Sequence, residues 1–168
     1  MKRWLMLLAM LLAACATPPP APMVPVAQLG VLAQSELVTL VAGDREFAFT
    51  ARLESDGDTL RVVAITPTGQ RLFAMRRHGA QLDAEAGPLW PAAMPLEAVW
   101  ADIEMVHVEM LARPEAVTAR PGWKRMALPD GQSAWFYRGR EEAKLVRETG
   151  RIVLIRPAYR LSVEVLPE

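Results

Sequence analysis

A single cysteine, Cys15, stands in a chain of 168 residues, so no internal disulfide can staple the fold in any compartment. An excess of one charge is missing too: nineteen Lys and Arg balance nineteen Asp and Glu. That balance argues against nucleic acid as a partner, because phosphate binding needs a concentrated positive face. Only two histidines are present, and the best candidate metal cluster is Asp102, Glu104, His107 and Glu109. Of these only Glu104 and His107 lie three apart and share a helical face, so the group reads as a solvated helix edge, and neither a metal nor another cofactor is expected. Ser35, Ser55, Ser133 and Ser162 lie in no Gly-x-Ser-x-Gly elbow, no Gly-rich loop could cradle a phosphate, and His78 beside Gly79 reads as a turn residue. With no set of acid, base and nucleophile, the chain is not expected to be an enzyme. Long apolar runs are lacking as well. The best one, Trp4 to Leu12, is far below the about 20 residues that span a bilayer.

What is present begins at the amino end. Met1, Lys2 and Arg3 precede that apolar run, which has the size of a signal-peptide core. Leu12-Ala13-Ala14-Cys15 then resembles the lipobox of bacterial lipoproteins, a resemblance that implies cleavage before Cys15 and lipid attachment to it; the alternative is an ordinary signal peptide with an incidental cysteine. Several acyl chains at ~0.8 kcal/mol per buried CH₂ would make such anchoring effectively permanent. In the sorting rule of such lipoproteins Ala16, where an Asp would signal retention in the inner membrane, favours the outer membrane and its periplasmic face. Thr17 to Pro25 holds five prolines in nine positions and predicts an extended, polyproline-like tether. The expected organisation is a signal peptide over 1–14, lipidated Cys15 and tether over 15–27, and one domain over 28–168. Without Lys2 and Arg3 the chain keeps seventeen basic against nineteen acidic residues.

The domain reads as mainly β. Gln28 to Val41 has mixed periodicity, a short helix leading into a first strand. Phe47, Phe49, Ala51 and Leu53 alternate with wetter neighbours at the two-residue period of a strand. Ser55-Asp56-Gly57-Asp58 is a hairpin turn rather than a carboxylate pair, since Asp-Gly tolerates the positive φ that such turns need. Strands follow over Thr59–Thr66, Arg71–Arg77 and Gln81–Glu85. Leu89 and Trp90 sit in a proline-rich loop, where apolar side chains are less expected. Pro95 suits a first helical position, and Leu96, Val99, Trp100, Ile103 and Val106 then mark one apolar helix face. A helical turn is expected over Pro114–Ala119. Strands resume over Trp123–Leu128, Ser133–Arg138, Ala143–Glu148, Arg151–Arg156 and Tyr159–Leu166. The expectation is about nine antiparallel strands split by a helical insertion. Arg76-Arg77 and Arg138-Gly139-Arg140 read as solvated strand ends, with lipid headgroups their first target if they act at all.

The stretch Phe49 to Phe73, with its Thr66-Pro67-Thr68-Gly69-Gln70 connection, resembles the front half of an uncharacterised bacterial lipoprotein family related to LolB. The likeness continues through Trp90-Pro91, Met94-Pro95-Leu96 and Ala101-Asp102-Ile103 to Ala158-Tyr159-Arg160-Leu161. It implies a LolA/LolB-like fold, a curved, incomplete antiparallel β-barrel with a helical lid whose apolar hollow accepts acyl chains or a lipidated protein; members often accompany aryl-polyene lipid pathways. The LolB connection carries an exposed apolar residue where this chain has Thr68, which counts against simple lipoprotein insertion. Thr68, Leu89 and Trp90 are the candidates for a membrane or transfer loop. Candidate lining residues are Phe47, Phe49, Leu53, Leu60, Val62, Phe73, Met75, Trp100, Ile103 and Met105, subject to strand register, because a one-residue slip inverts the choice. The leading expectation is an outer-membrane lipoprotein that holds or passes on an acyl or polyene chain, with an envelope transport partner. The alternative is a structural accessory of an envelope assembly or export complex, and an enzyme acting on lipid comes third.

Overall fold

A computed structural model describes residues 24–92, 94–110 and 121–167, with the side chain of Val108 excepted. The expected signal segment, Cys15, most of the tether and the helical turn expected over Pro114–Ala119 lie outside the described residues. The chain enters through one helical turn, α1 (Val26–Leu29). Ten strands follow, β1 (Val31–Ala42), β2 (Arg45–Asp56), β3 (Thr59–Ile65), β4 (Arg71–His78), β5 (Gln81–Ala86), β6 (Trp123–Ala127), β7 (Ser133–Tyr137), β8 (Arg140–Glu148), β9 (Arg151–Ile155) and β10 (Arg160–Val165), with helix α2 (Leu96–Met110) between β5 and β6.

All ten strands form one sheet in the order β5-β4-β3-β2-β1-β10-β9-β8-β7-β6. The first five step outward by hairpins; the last five begin at the opposite edge and step back until β10 pairs antiparallel with β1, Val38 facing Val163. Strands β5 and β6 are the two edges, so the sheet is not closed. Ten strands stand where about nine were expected, and in the segment Gln28 to Val41, expected to be a short helix leading into a first strand, β1 begins at Val31. Its inward positions include Gln34 and the buried Glu36, while Leu37 and Val41 point outward and stay partly exposed, so the two-residue hydrophobic period is blurred there.

The hairpins follow from their turn chemistry. Asp56 Oδ1 accepts from the backbone N–H of Asp58 at 3.0 Å and of Thr59 at 2.7 Å, an Asx-type turn with Gly57 at φ 94°. Between β7 and β8, Tyr137 faces Arg140, leaving only Arg138 and Gly139 at φ 51° and 84° to reverse the chain. Two consecutive positive φ values make the tightest hairpin geometry, so β8 starts at Arg140 and not at Ala143. Gly87 opens the loop after β5; a Cβ there would sit 2.2 Å from the Arg71 carbonyl oxygen.

The sheet wraps around α2. Arg77 on β4 and Arg125 on β6 both bind carboxylates of this one helix, Glu104 and Glu109. In a flat sheet those strands, eight intervals apart in the sheet order, would be about 38 Å apart at ~4.8 Å per interval; a helix with its side chains is only about 10–12 Å across. Wrapping also buries α2 beyond the single apolar stripe expected of it. Leu96, Trp100, Ala101, Met105 and Val106 are buried, and so are Asp102, Glu104 and His107. The solvated helix edge expected for those three charged positions is therefore overturned, as is the solvated strand end expected at Arg77, which is 4% exposed.

Candidate functional site

Between α2 and the first strands lies a hollow. Its walls are Val38 and Leu40 of β1, Phe49, Ala51 and Leu53 of β2, Val62 of β3, Phe73 of β4, and Leu161 and Val163 of β10. The helix closes it with Val99, Ile103 and Val106, and the loop after β5 adds Trp90 and Met94; the polar members of the wall are Glu36, Asp102 and His107. The enclosed volume is about 40 Å³, room for on the order of three waters and well below the roughly 300–1,000 Å³ of a ligand pocket.

Of the lining residues expected from sequence, Phe49, Leu53, Val62, Phe73 and Ile103 meet at this hollow. Leu60, Met75, Trp100 and Met105 are buried in the same core without bordering it. Phe47 has the inward parity of Phe49 but sits near the start of β2, 36% exposed, its ring 6.0 Å from that of Phe49. The series continues inward, Phe49 to Phe73 at 6.0 Å and Phe73 edge-on to Trp90 at 4.9 Å, geometries that aromatic quadrupoles favour. Trp90, expected in a membrane loop, is folded onto this series, its Nε1–H donating to the Met94 carbonyl at 2.7 Å. Leu89 beside it is 52% exposed, and Thr68 is an exposed turn residue whose hydroxyl meets that of Thr66 at 2.8 Å. The missed wall residues on β1 and β10 were hidden by register, and the missed Asp102 and His107 by their charge.

Polar contacts tie α2 to both halves of the sheet. Asp102 takes Arg156 Nε at 2.9 Å and Nη2 at 2.5 Å, and the Tyr159 hydroxyl donates to its other oxygen. Burial raises the Asp102 carboxyl above its ordinary range despite the pull of Arg156 and Tyr159. Burial and the neighbouring Asp102 carboxylate likewise push the Tyr159 hydroxyl well above its usual range. Glu104 accepts from Arg77 and from Trp100 Nε1 at 2.8 Å. Glu109 is held by Arg125 Nε at 2.6 Å and Nη2 at 2.9 Å, with the Ser133 hydroxyl at 2.6 Å, a bidentate pair. His107 Nδ1 lies 2.7 Å from the Ile103 carbonyl and Nε2 lies 2.9 Å from Glu36 Oε1. His107 thus has both ring nitrogens within hydrogen-bond reach of an oxygen, one on the helix itself and one on β1. Burial pulls its pKa down, but the hydrogen bond and charge of Glu36 outweigh that and raise it. Each carboxylate has its own partners, those of Asp102 in the β9–β10 connection, of Glu104 on β4, and of Glu109 on β6 and β7, so these residues act as separate ties. Among the described residues no three His, Cys, Asp or Glu side chains group to hold a metal.

The two ends of the sheet differ. The end carrying Phe47, Leu89, Trp90 and Met94 is the one where β1 finishes, whereas α1 and the start of β1 lie at the other. Among the described residues no helix is long and apolar enough to cross a membrane. A family model described as "Protein of unknown function (DUF3261)" matches residues 33–165. The chain belongs to this family. The match runs from β1 into β10, so the DUF3261 unit comprises the whole sheet together with α2 and the hollow. A search of curated proteins found no match.

Proposed function

We propose that this DUF3261 protein is a lipoprotein, anchored through Cys15 to the periplasmic face of the outer membrane, that binds a hydrophobic chain between α2 and the first half of the sheet. In this reading the sheet is a LolA/LolB-like half-barrel, α2 is its lid, and the protein holds or passes on its guest without making or breaking bonds. An acyl chain, a lipidated protein or a polyene lipid would each fit the chemistry of the walls. The observation that carries the reading is the hollow itself, apolar at every position but Glu36, Asp102 and His107 and roofed by a single helix. That helix is held by discrete ion pairs as well as by apolar packing. Trp90 and Met94 border the hollow at the end far from α1, with Phe47 exposed at that end, an arrangement that would suit exchange with an envelope transport partner.

One observation favours a second reading. At about 40 Å³ the hollow holds no chain until α2 draws back, so α2 as a permanent plug would make this an accessory module of an envelope assembly or export complex. The test is to purify the full-length protein from membranes, extract it with organic solvent and examine the extract by mass spectrometry. A stoichiometric apolar compound supports ligand binding; a clean extract together with no uptake of an apolar fluorescent probe supports the plug. For the anchor, Cys15→Ser should move the protein out of the membrane fraction, and unchanged membrane association would contradict it.

A further inference from the structure

The polar part of the hollow's wall is more specific than its apolar part. Glu36 is 2% exposed and borders the hollow. Its Oε1 accepts from Gln34 Nε2 at 2.6 Å and from His107 Nε2 at 2.9 Å. No described residue donates to Oε2, yet Oε2 is not one of the sealed, unsatisfied polar atoms of the interior. Glu36 borders the hollow, so a guest lodged there meets its carboxyl group. A carboxylate oxygen in a mostly apolar wall accepts hydrogen bonds, so it favours a guest that supplies a donor.

The cations nearby are already engaged. His107 is bound to Glu36 and to the Ile103 carbonyl, and Arg156 to Asp102 and the Glu142 carbonyl. A carboxylate head would therefore find no free cation and would face the Glu36 carboxylate directly. A cationic head would have to leave water to enter between apolar walls. An uncharged donor meets none of these penalties.

We infer that the hollow selects amphiphiles whose polar end is an uncharged hydrogen-bond donor, such as a long-chain alcohol or primary amide, with Glu36 Oε2 as the acceptor, and that it excludes long-chain carboxylates. Gln34 and His107 are the positioning residues that hold Glu36 in place. The inference deepens the ligand-binding reading and depends on it. A long-chain acid can enter only by taking up a proton, which becomes about tenfold less favourable with each pH unit above its own pKa.

The test uses full-length protein in mild detergent with three diazirine-bearing probes of equal chain length: hexadecanol, hexadecanoic acid and hexadecane. Photolabelling is mapped to the peptides that carry Phe49, Val62 and Ile103. The expected result is strongest labelling by the alcohol, several-fold above the acid at neutral pH, with the difference growing as pH rises. Glu36→Gln should bring alcohol and acid within about twofold of each other, since the amide presents a donor as well as an acceptor. Equal labelling by all three probes in the wild-type protein overturns the inference while leaving ligand binding intact, and so does preference for the acid or the alkane. No mapped labelling by any of the three overturns ligand binding itself. The wild-type comparison needs no substitution, so it stands even where Glu36→Gln fails to fold.

Discussion

On the β6–β9 side of α2, Trp135, Leu145 and Leu154 are fully buried together with Met105, and Trp123 meets Trp135 edge-on at 6.3 Å. On the β1–β4 side, the same helix faces equally apolar strands across a hollow. Both walls are greasy, and both lend polar ties to the helix. They differ in filling: Trp135, Leu145 and Leu154 are fully buried on one side, whereas on the other Val38, Ala51 and Val62 share the lining of a hollow with Ile103 and Val106. One meander thus seats the helix, and the other, together with β10, borders the hollow.

The largest effects should come from the seat and the buried ties. Trp135→Ala is expected to destabilise by about 3–5 kcal/mol in chemical denaturation, as for other buried Trp truncations. Arg77→Met alone should cost about as much, because it leaves Glu104 charged in the interior, while Arg77→Met combined with Glu104→Leu should recover most of the loss. If the double variant stays as unstable as the single one, the tie is not acting as an isolated pair. A sharper contrast comes from adding volume. Ala143→Val on β8 should overpack and cost about 1–3 kcal/mol, whereas Ala51→Val should be neutral or stabilising because it grows into the hollow. Equal destabilisation at both sites would erase the distinction between the two walls.

A smaller, pH-dependent effect is expected at His107, which faces Glu36 of β1 and, on its own helix, the Ile103 carbonyl. Its raised pKa in the folded protein means that its contribution is fully present below the unfolded value of about 6.5 and is lost as pH rises through the folded value. Stability should therefore fall on the alkaline side, and His107→Gln should flatten that part of the profile; a fall that survives the substitution would assign it to another group. The smallest effect is at Leu89, 52% exposed, where Leu89→Ser should change stability by no more than about 0.5 kcal/mol.

Much of the sheet was legible because its hairpins announce themselves. Asp56-Gly57 and Gly79 mark their turns, and the alternation from Phe47 to Leu53 shows which side of β2 faces the core. The β7–β8 turn was not legible, since nothing in the sequence indicates that Arg138 adopts a positive φ. The candidate site was half legible. Phe49, Leu53, Val62, Phe73 and Ile103 follow from strand and helix period, but Asp102, Glu104 and His107 read as wet because charge normally marks a solvated face. Their partners, Arg156, Arg77 and Glu36, are remote in sequence and come together only when the sheet wraps around the helix. Wrapping itself depends on ten strands sharing one sheet, which no local pattern reveals.

The most direct measurement of the central claim is titration of the full-length protein with an apolar fluorescent probe, wild type against Ala51→Phe, with circular dichroism to establish that both are folded. Saturable one-to-one uptake by the wild type, at least about tenfold weaker in the filled variant, is the result expected if a chain lodges between α2 and the first meander. Equal uptake by the two folded proteins would contradict it.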